Sequence, residues 1–328
     1  MNNTDVLYAV LSDIHANYPA LQQVDADARG QAQAMGCELR FICLGDVVDY
    51  GPFPNECMAW VDRVKPDIVL QGNHDAEAIQ PATAEMRRVG KQWFPITYWT
   101  RSALTSEHRS VIGTWAGKRA GSNGMGDFLF FHSDPTASDH YIEDCSVARD
   151  YLFHHTRRWR YGLFGHTHYQ TLFIKEGRGC AERFAQPENK RHDAIYHRAV
   201  NTWMELPERV LMLNPGSVGQ PRFHAAQMGA QDDNRACYLL LQRRSNAWRM
   251  QWRRVEYDLH VTVDALGRLA WPQQPVNHGN DILKATKDTG RLAMPYLDQQ
   301  QLHIQQAEFP AVINLLIDTL LQRKSSTL

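Results

Sequence analysis

The feature that most limits what this chain can fold into is a set of short apolar, β-branched runs that each stop abruptly at polar residues. Val6 to Leu11 runs into Ser12-Asp13, Phe41 to Leu44 into Gly45-Asp46, and Ile68 to Leu70 into Gln71-Gly72-Asn73. Runs of this length read as buried strands. Between the first two, Asn17 and Pro19 open and Gly36 closes a segment with apolar residues at Leu21, Val24, Ala28 and Met35, the pattern of a capped amphipathic helix. Pro54 to Val61 offers a second helix. The order β-α-β-α-β puts parallel strands into one sheet.

Beyond Ala76 the pattern is helical to about Lys118, with Gly, Pro and aromatic interruptions around Trp93 to Trp99. The second half returns to strands: Phe128 to Phe131, Tyr161 to Phe164, Thr171 to Ile174, Val210 to Leu213, Ala236 to Leu241 and Trp248 to Val255. The short break at Ser245-Asn246 makes the last pair an antiparallel hairpin. An α/β architecture of two mixed sheets packed face to face, with helices outside, accommodates both halves. Glu176 to Glu208 is polar, basic and histidine-rich and reads as an inserted loop. Val312 to Leu321 is apolar almost all round, which suits a terminal helix buried on the body or at a subunit contact, so a homodimer is worth testing. The expected division is a main domain over 1–260 and a C-terminal extension over 261–328 packed on the same body.

Composition narrows the function classes. The 35 basic residues nearly cancel 36 acidic ones, which leaves no large field of one sign for a dedicated nucleic-acid surface. Six cysteines without a C-x-x-C pair argue against a zinc knuckle or a disulfide framework and read as reduced. No apolar run is long enough to span a bilayer, and no basic, cleavable leader is evident at the start. The expectation is a cytoplasmic protein without a membrane partner.

Metal-ligand residue types fall at or just beyond the ends of the apolar runs. Asp13 and His15 follow the first, Asp46 the second and Asn73 the third; His132 follows Phe128 to Phe131, and His166 and His168 follow Tyr161 to Phe164. In open α/β sheets the carboxyl ends of strands are where distant residues converge on a ligand. Seven nitrogen and oxygen donors suffice for two cations that share one carboxylate and keep positions for water and substrate. Singly, each residue has a plainer reading: a lone Asp at a strand end is usually a helix cap and a lone His a satisfied core or surface residue. Asp75 reads as a cap for the helix that follows, the Trp248 to Arg254 alternation as a strand with one packed face, Arg157 to Arg160 as a solvated helix end, and His192 and His197 as solvated loop residues.

On Asp13-Ile14-His15, Gly45-Asp46-Val47-Val48-Asp49, Gly72-Asn73-His74-Asp75, His132 and Gly165-His166-Thr167-His168, the chain resembles the calcineurin-like metallophosphoesterase superfamily. Leu11 to Asn17, Tyr50-Gly51-Pro52, Asn214 to Arg222 and Val255 to Asp258 extend the likeness to its bacterial and archaeal small-phosphodiesterase branch, over roughly residues 6 to 260. The resemblance implies a four-layer α-β-β-α sandwich. It also implies that Asp13, His15 and His168 hold one metal, that Asn73, His132 and His166 hold the other, and that Asp46 bridges them. His74 would be the general acid, oriented by Asp49, and Arg222 would approach the phosphate.

Mixed His, Asp and Asn donors suit Mn²⁺, Fe²⁺, Co²⁺, Ni²⁺ or Zn²⁺ better than Ca²⁺, and manganese is the operational choice. Phosphoprotein phosphatases of the superfamily place an arginine just before Gly-Asn-His, where this chain has Gln71. A diester carries one negative charge less and depends less on such a clamp, so the expected substrate is a phosphodiester or phosphoanhydride bond of a small nucleotide. The alternatives are a phosphomonoesterase or Ser/Thr protein phosphatase, and a non-catalytic scaffold of the same fold, against which an intact His74 argues.

Overall fold

The computed structural model describes residues 5–80, 95–115, 119–120, 127–133, 141–142, 147–148, 159–176, 179–183, 200–221, 235–244 and 247–269. Two six-stranded sheets are formed among them. The first takes β1 (Val6–Leu11), β2 (Glu38–Cys43), β3 (Ile68–Val69), β9 (Met204–Glu205), β11 (Ala236–Arg244) and β12 (Ala247–Val255) in the order β3-β2-β1-β11-β12-β9. Its first three strands are parallel, as the β-α-β-α-β pattern requires; β11 adds antiparallel to β1, and β12 antiparallel to β11. The second takes β4 (Arg119–Ala120), β5 (Phe128–Phe131), β6 (Tyr161–Leu163), β7 (Gln170–Glu176), β8 (Gly179–Arg183) and β10 (Leu211–Pro215) in the order β4-β5-β6-β10-β7-β8.

Alternation along the strands sorts the apolar residues into three cores. Val10, Ile42 and Leu239 of the first sheet meet Phe128, Phe130, Leu163, Leu172 and Leu213 of the second in the layer between the sheets. The opposite face of the first sheet, through Leu7, Ala9, Phe41 and Tyr238, packs on helices; the opposite face of the second, through Leu129, Phe131, Phe173 and Met212, packs on Ile142 and Ala148. Three stacked cores define four layers, the α-β-β-α sandwich expected. Fully burying one of the phenylalanines contributes roughly 1.5–3 kcal/mol, so the inter-sheet layer holds the two sheets in a fixed relation.

The helices begin where chain chemistry tells them to. In α1 (Tyr18–Met35) the Asn17 side chain accepts a hydrogen bond from the Ala20 amide, Pro19 occupies the first turn, and Gly36 closes the helix with φ +63°. Its buried stripe is Ala20, Leu21, Val24, Ala28 and Ala32. α2 (Pro54–Val64) and α3 (Asn73–Ile79) follow β2 and β3. Pro95 opens α4 (Pro95–Ala103) rather than interrupting a helix, and α5 (Ser106–Thr114) is capped by the Thr105 hydroxyl.

Two readings of the chain change. Residues 176–208 are not a loop throughout: β8 pairs back onto β7, and β9 pairs with β12 at the edge of the first sheet. The reason is that strand pairing needs only a few backbone groups and an edge that accepts them, which composition does not report. Residues 184–199, His192 and His197 included, lie outside the described residues. At the other boundary α6 (Leu259–Gly267) runs across residue 260, and its Thr262 hydroxyl donates to Asn17 Oδ1 at 2.9 Å. The expected helix over Val312 to Leu321 lies outside the described residues, as does Arg157-Arg158.

Candidate metal centre

The seven donor residues expected from the sequence come together at the carboxyl ends of both sheets, and most sit in an unusual backbone conformation. Asp13, His15, Ala16, Asp46, Asp49, Tyr50, His166 and His168 all have φ between +49° and +75°. Non-glycine residues in this region cost on the order of 1–3 kcal/mol each and persist only where their surroundings over-determine them. Here the Asp13 amide donates to Gly45 O (3.0 Å), the His15 amide to Asp46 O (2.9 Å) and the Ala16 amide to Val47 O (2.9 Å). The β1 and β2 end loops therefore lock each other.

Close approach adds a second constraint. A Cβ on Gly72 would lie 2.0 Å from Asp46 Oδ1 and 2.5 Å from the Asp46 amide, so only glycine lets the β3 end reach the Asp46 loop. The Gly165 position is equally tight, with Ser12 Oγ 2.0 Å from a would-be Cβ.

Asp13, His15 and His168 form one buried triad, and Asp46, His132 and His166 form another; within each the donor atoms all lie within 4.8 Å of one another. In the first, His168 Nε2 is 3.3 Å from Asp13 Oδ1 and 3.1 Å from His15 Nε2. In the second, His132 Nε2 is 3.1 Å from Asp46 Oδ2 and 3.1 Å from Asn73 Oδ1. Asp46 Oδ2 is also 3.9 Å from His15 Nε2, which places this carboxylate between the triads.

Hydrogen bonds behind the imidazoles fix which nitrogen faces inward. His132 Nδ1–H donates to Leu44 O and His168 Nδ1–H to Gln220 O, each at 2.8 Å, leaving the Nε2 lone pairs aimed at the clusters. In that tautomer the His168 Nε2 lone pair faces His15 Nε2 at 3.1 Å, and the His132 Nε2 lone pair faces two side-chain oxygens. Asp46 Oδ2 and His15 Nδ1 are buried and make no hydrogen bond among the described residues. Groups like these are costly unless a proton or a cation sits among them, so the donor set fits divalent cations.

Electrostatics follows the same division. Burial, reinforced by neighbouring histidines, pushes His15 well below its usual range and His166 down to about 4, which keeps both in the neutral, ligating form. Burial also opposes charge on His132, but the Asp46 carboxylate outweighs it and raises His132 to about 9. Burial disfavours the charged form of Asp46 too, yet His132 and His74 hold its carboxyl well below the usual range.

Beside the triads, His74 Nδ1 lies 2.8 Å from Asp49 Oδ2, and Asp49 accepts hydroxyl hydrogen bonds from Thr97 (2.6 Å) and Thr100 (3.3 Å). The His74 amide donates to Asp46 Oδ1 at 2.9 Å, tying its backbone to the carboxylate between the triads. Burial works against a charged His74, but Asp46 and then Asp49 overcome it and raise the ring to about 10. Asp75, expected as a helix cap, does more: it accepts from the Gly72 amide at 3.0 Å and from the Val47 and Val48 amides at 2.9 and 3.0 Å, clamping the Asp46 loop to α3.

Some positioning residues escape sequence reading. Ser217 Oγ donates to Asp13 O (2.7 Å), Asn214 Nδ2 donates to Gly165 O (2.9 Å) and Thr167 Oγ1 (3.0 Å), and Gln220 supplies the carbonyl for His168. The loop after β10 thus supports both the Asp13 and the His166 loops. The string Asn214-Pro215-Gly216-Ser217 is visible in the sequence, but its partners are not. Arg222, expected near the phosphate, lies outside the described residues.

The family profile described as calcineurin-like phosphoesterase matches residues 7–170, half of the 328-residue chain. The chain belongs to this family, whose members use divalent metal ions, and is a phosphate-ester hydrolase. It is similar to the uncharacterized protein MJ0912 of Methanocaldococcus jannaschii, 23% identical over 282 residues that cover 81% of this chain and 94% of the relative. Among solved structures it is similar to a metallophosphoesterase from Sphaerobacter thermophilus, with a TM-score of 0.64, 24% identity and coverage of 88% of this chain and 99% of that one. The hypothetical protein PH1004 of Pyrococcus horikoshii gives a TM-score of 0.58 at 16% identity, covering 82% of this chain and 95% of its own. Both structural likenesses concern the fold.

Proposed function

We propose that this protein hydrolyses phosphodiester or phosphoanhydride bonds of small nucleotides at a two-metal centre. The observation that carries the reading is the pair of buried triads with the His74–Asp49 couple beside them. Asp13, His15 and His168 would hold one cation, Asn73, His132 and His166 the other, and Asp46 would bridge. Two divalent cations bound there would lower the pKa of water and neutralise charge on the phosphate oxygens. Manganese is the operational choice among Mn²⁺, Fe²⁺, Co²⁺, Ni²⁺ and Zn²⁺.

The chain's own residues supply the rest. Asp49 fixes His74 through Nδ1, so the opposite nitrogen carries the proton that a departing alkoxide needs. The two threonine hydroxyls hold Asp49 in turn, which makes His74 a pre-positioned general acid. Gln71 supports a diester over a monoester: its amide nitrogen donates to Ile112 O at 3.0 Å. The side chain standing where a protein phosphatase has its arginine clamp is thus engaged with a helix backbone.

The thiols of Cys37, Cys43 and Cys57, none of them in a disulfide among the described residues, support a reducing compartment, which we take to be the cytoplasm. Among the described residues no helix is long and apolar enough to cross a membrane. A homodimer through the C-terminal segment is a separate proposal, checked by light scattering of the full chain.

The test compares an aryl phosphodiester with the matching monoester, using metal-loaded protein beside Asp46→Asn and His74→Ala. Diester preference is expected, abolished by Asp46→Asn and reduced on the order of a hundredfold by His74→Ala. Monoester preference would favour a phosphatase, and no turnover with any divalent metal would favour a scaffold.

A further inference from the structure

One tyrosine lies against each triad, and the two are used differently. Tyr50 is tilted onto His15 and His74, with ring centroids 4.9 and 4.4 Å apart and planes 60° and 53° from parallel, so it packs the site from the side. Tyr141 lies flat on His166, with centroids 4.2 Å apart and planes 11° from parallel, yet its residue is 41% exposed. Its neighbour Ile142 is only 2% exposed and sits in the outer core of the second sheet, so the backbone beneath the tyrosine is anchored. A singly exposed aromatic needs no explanation. A ring that stands exposed while stacked in parallel on a donor of the metal cluster does.

We propose that Tyr141 is a specificity-determining residue, whose outward ring face receives the nucleobase of a nucleotide phosphate bound at the two triads. The inference rests on the phosphodiesterase reading above and supplies its missing recognition element. With a phosphate held at the triads, the organic group of the ester must lie along the rim, and a nucleoside phosphate carries its base one sugar away. A flat, exposed ring at that rim offers π-stacking to any base without a hydrogen-bond code. Cations held by the triads would recognise phosphate alone, so the rim is where a nucleotide is told from another phosphate ester. His166 backs the tyrosine on its inner face and keeps the outer face in one orientation.

The test is a calorimetric titration of the Mn²⁺-loaded full chain with AMP and with ribose 5-phosphate, which differ by the base alone. The wild type is expected to bind AMP roughly tenfold tighter, equivalent to about 1.4 kcal/mol. Tyr141→Phe keeps that gap; Tyr141→Leu, which still covers His166 but has no π face, and Tyr141→Ala close it. Metal stoichiometry measured alongside separates a damaged site from a lost base contact. Equal binding of the two probes by the wild type, or equal weakening of both by Tyr141→Leu, overturns the inference and leaves Tyr141 as packing for His166. A Tyr141-dependent gap in a protein with no diester turnover would keep the base contact and sink the phosphodiesterase reading instead.

Discussion

The two sheets bring different chemistry to the centre. The strand ends of the first sheet deliver Asp13, His15, Asp46 and, at the start of α3, Asn73, three of them oxygen donors; those of the second deliver His132, His166 and His168, all imidazoles. Neither triad belongs to one sheet: Asp13 and His15 are completed by His168, and Asp46 is completed by His132 and His166. The site therefore exists only while the inter-sheet core is packed. Metal binding and sheet docking should be coupled, because a ligand that binds only the assembled state stabilises it.

The largest expected effect comes from forcing apart the two first-sheet loops, at the ends of β2 and β3, that hold the carboxylate between the triads. Gly72→Ala places a Cβ 2.0 Å from Asp46 Oδ1 and should displace the carboxylate between the triads. Activity is expected to fall about a hundredfold or more, and metal content, read by plasma emission spectrometry, to drop below two per chain. Full metal content in a fully active variant would break the claim that this clearance matters.

Chelation should come next. With metal at about a hundred times its dissociation constant, removal costs about 2.7 kcal/mol, or roughly 5–10 °C in Tm for a body of this size. Scanning calorimetry should show that shift in the wild type and little of it in Asp46→Asn.

Two leucines sharpen the comparison further. Leu213→Ala in the inter-sheet core and Leu21→Ala under α1 should each cost about 2–5 kcal/mol of stability. Only Leu213→Ala should also weaken metal affinity, which titration calorimetry would show; equal affinity in both variants would uncouple the sites from sheet docking.

The smallest effect is expected beside the triads. Asp49→Asn leaves both triads intact but removes the charge that orients His74, so kcat should fall roughly 10–100-fold while metal content and Tm stay near wild type.

How much of this was legible beforehand depends on whether the controlling physics is local. Asp13, Asp46, Asn73, His132, His166 and His168 stood out because an apolar run ending in a ligand type is a local pattern, and the strands' alternation and the caps Asn17 and Gly36 are equally local. The positive φ of Asp13 and His15 was hidden, since nothing in their side chains requires it and the Gly45 and Asp46 carbonyls, in the loop after β2, impose it. Ser217 and Gln220 were hidden for the same reason: their partners, Asp13 and His168, are far away in sequence. β9 was missed because two residues carry no periodicity, and Tyr141 because a lone aromatic in a polar segment has no pattern to belong to.

The central claim, that both sheets together build a two-metal centre, is tested most directly by anomalous diffraction from a crystal grown with Mn²⁺. The account predicts two manganese peaks, one bounded by Asp13, His15 and His168 and the other by Asp46, His132 and His166, with the Asp46 carboxylate between them. A single peak, or manganese held by the donors of one sheet alone, would contradict it.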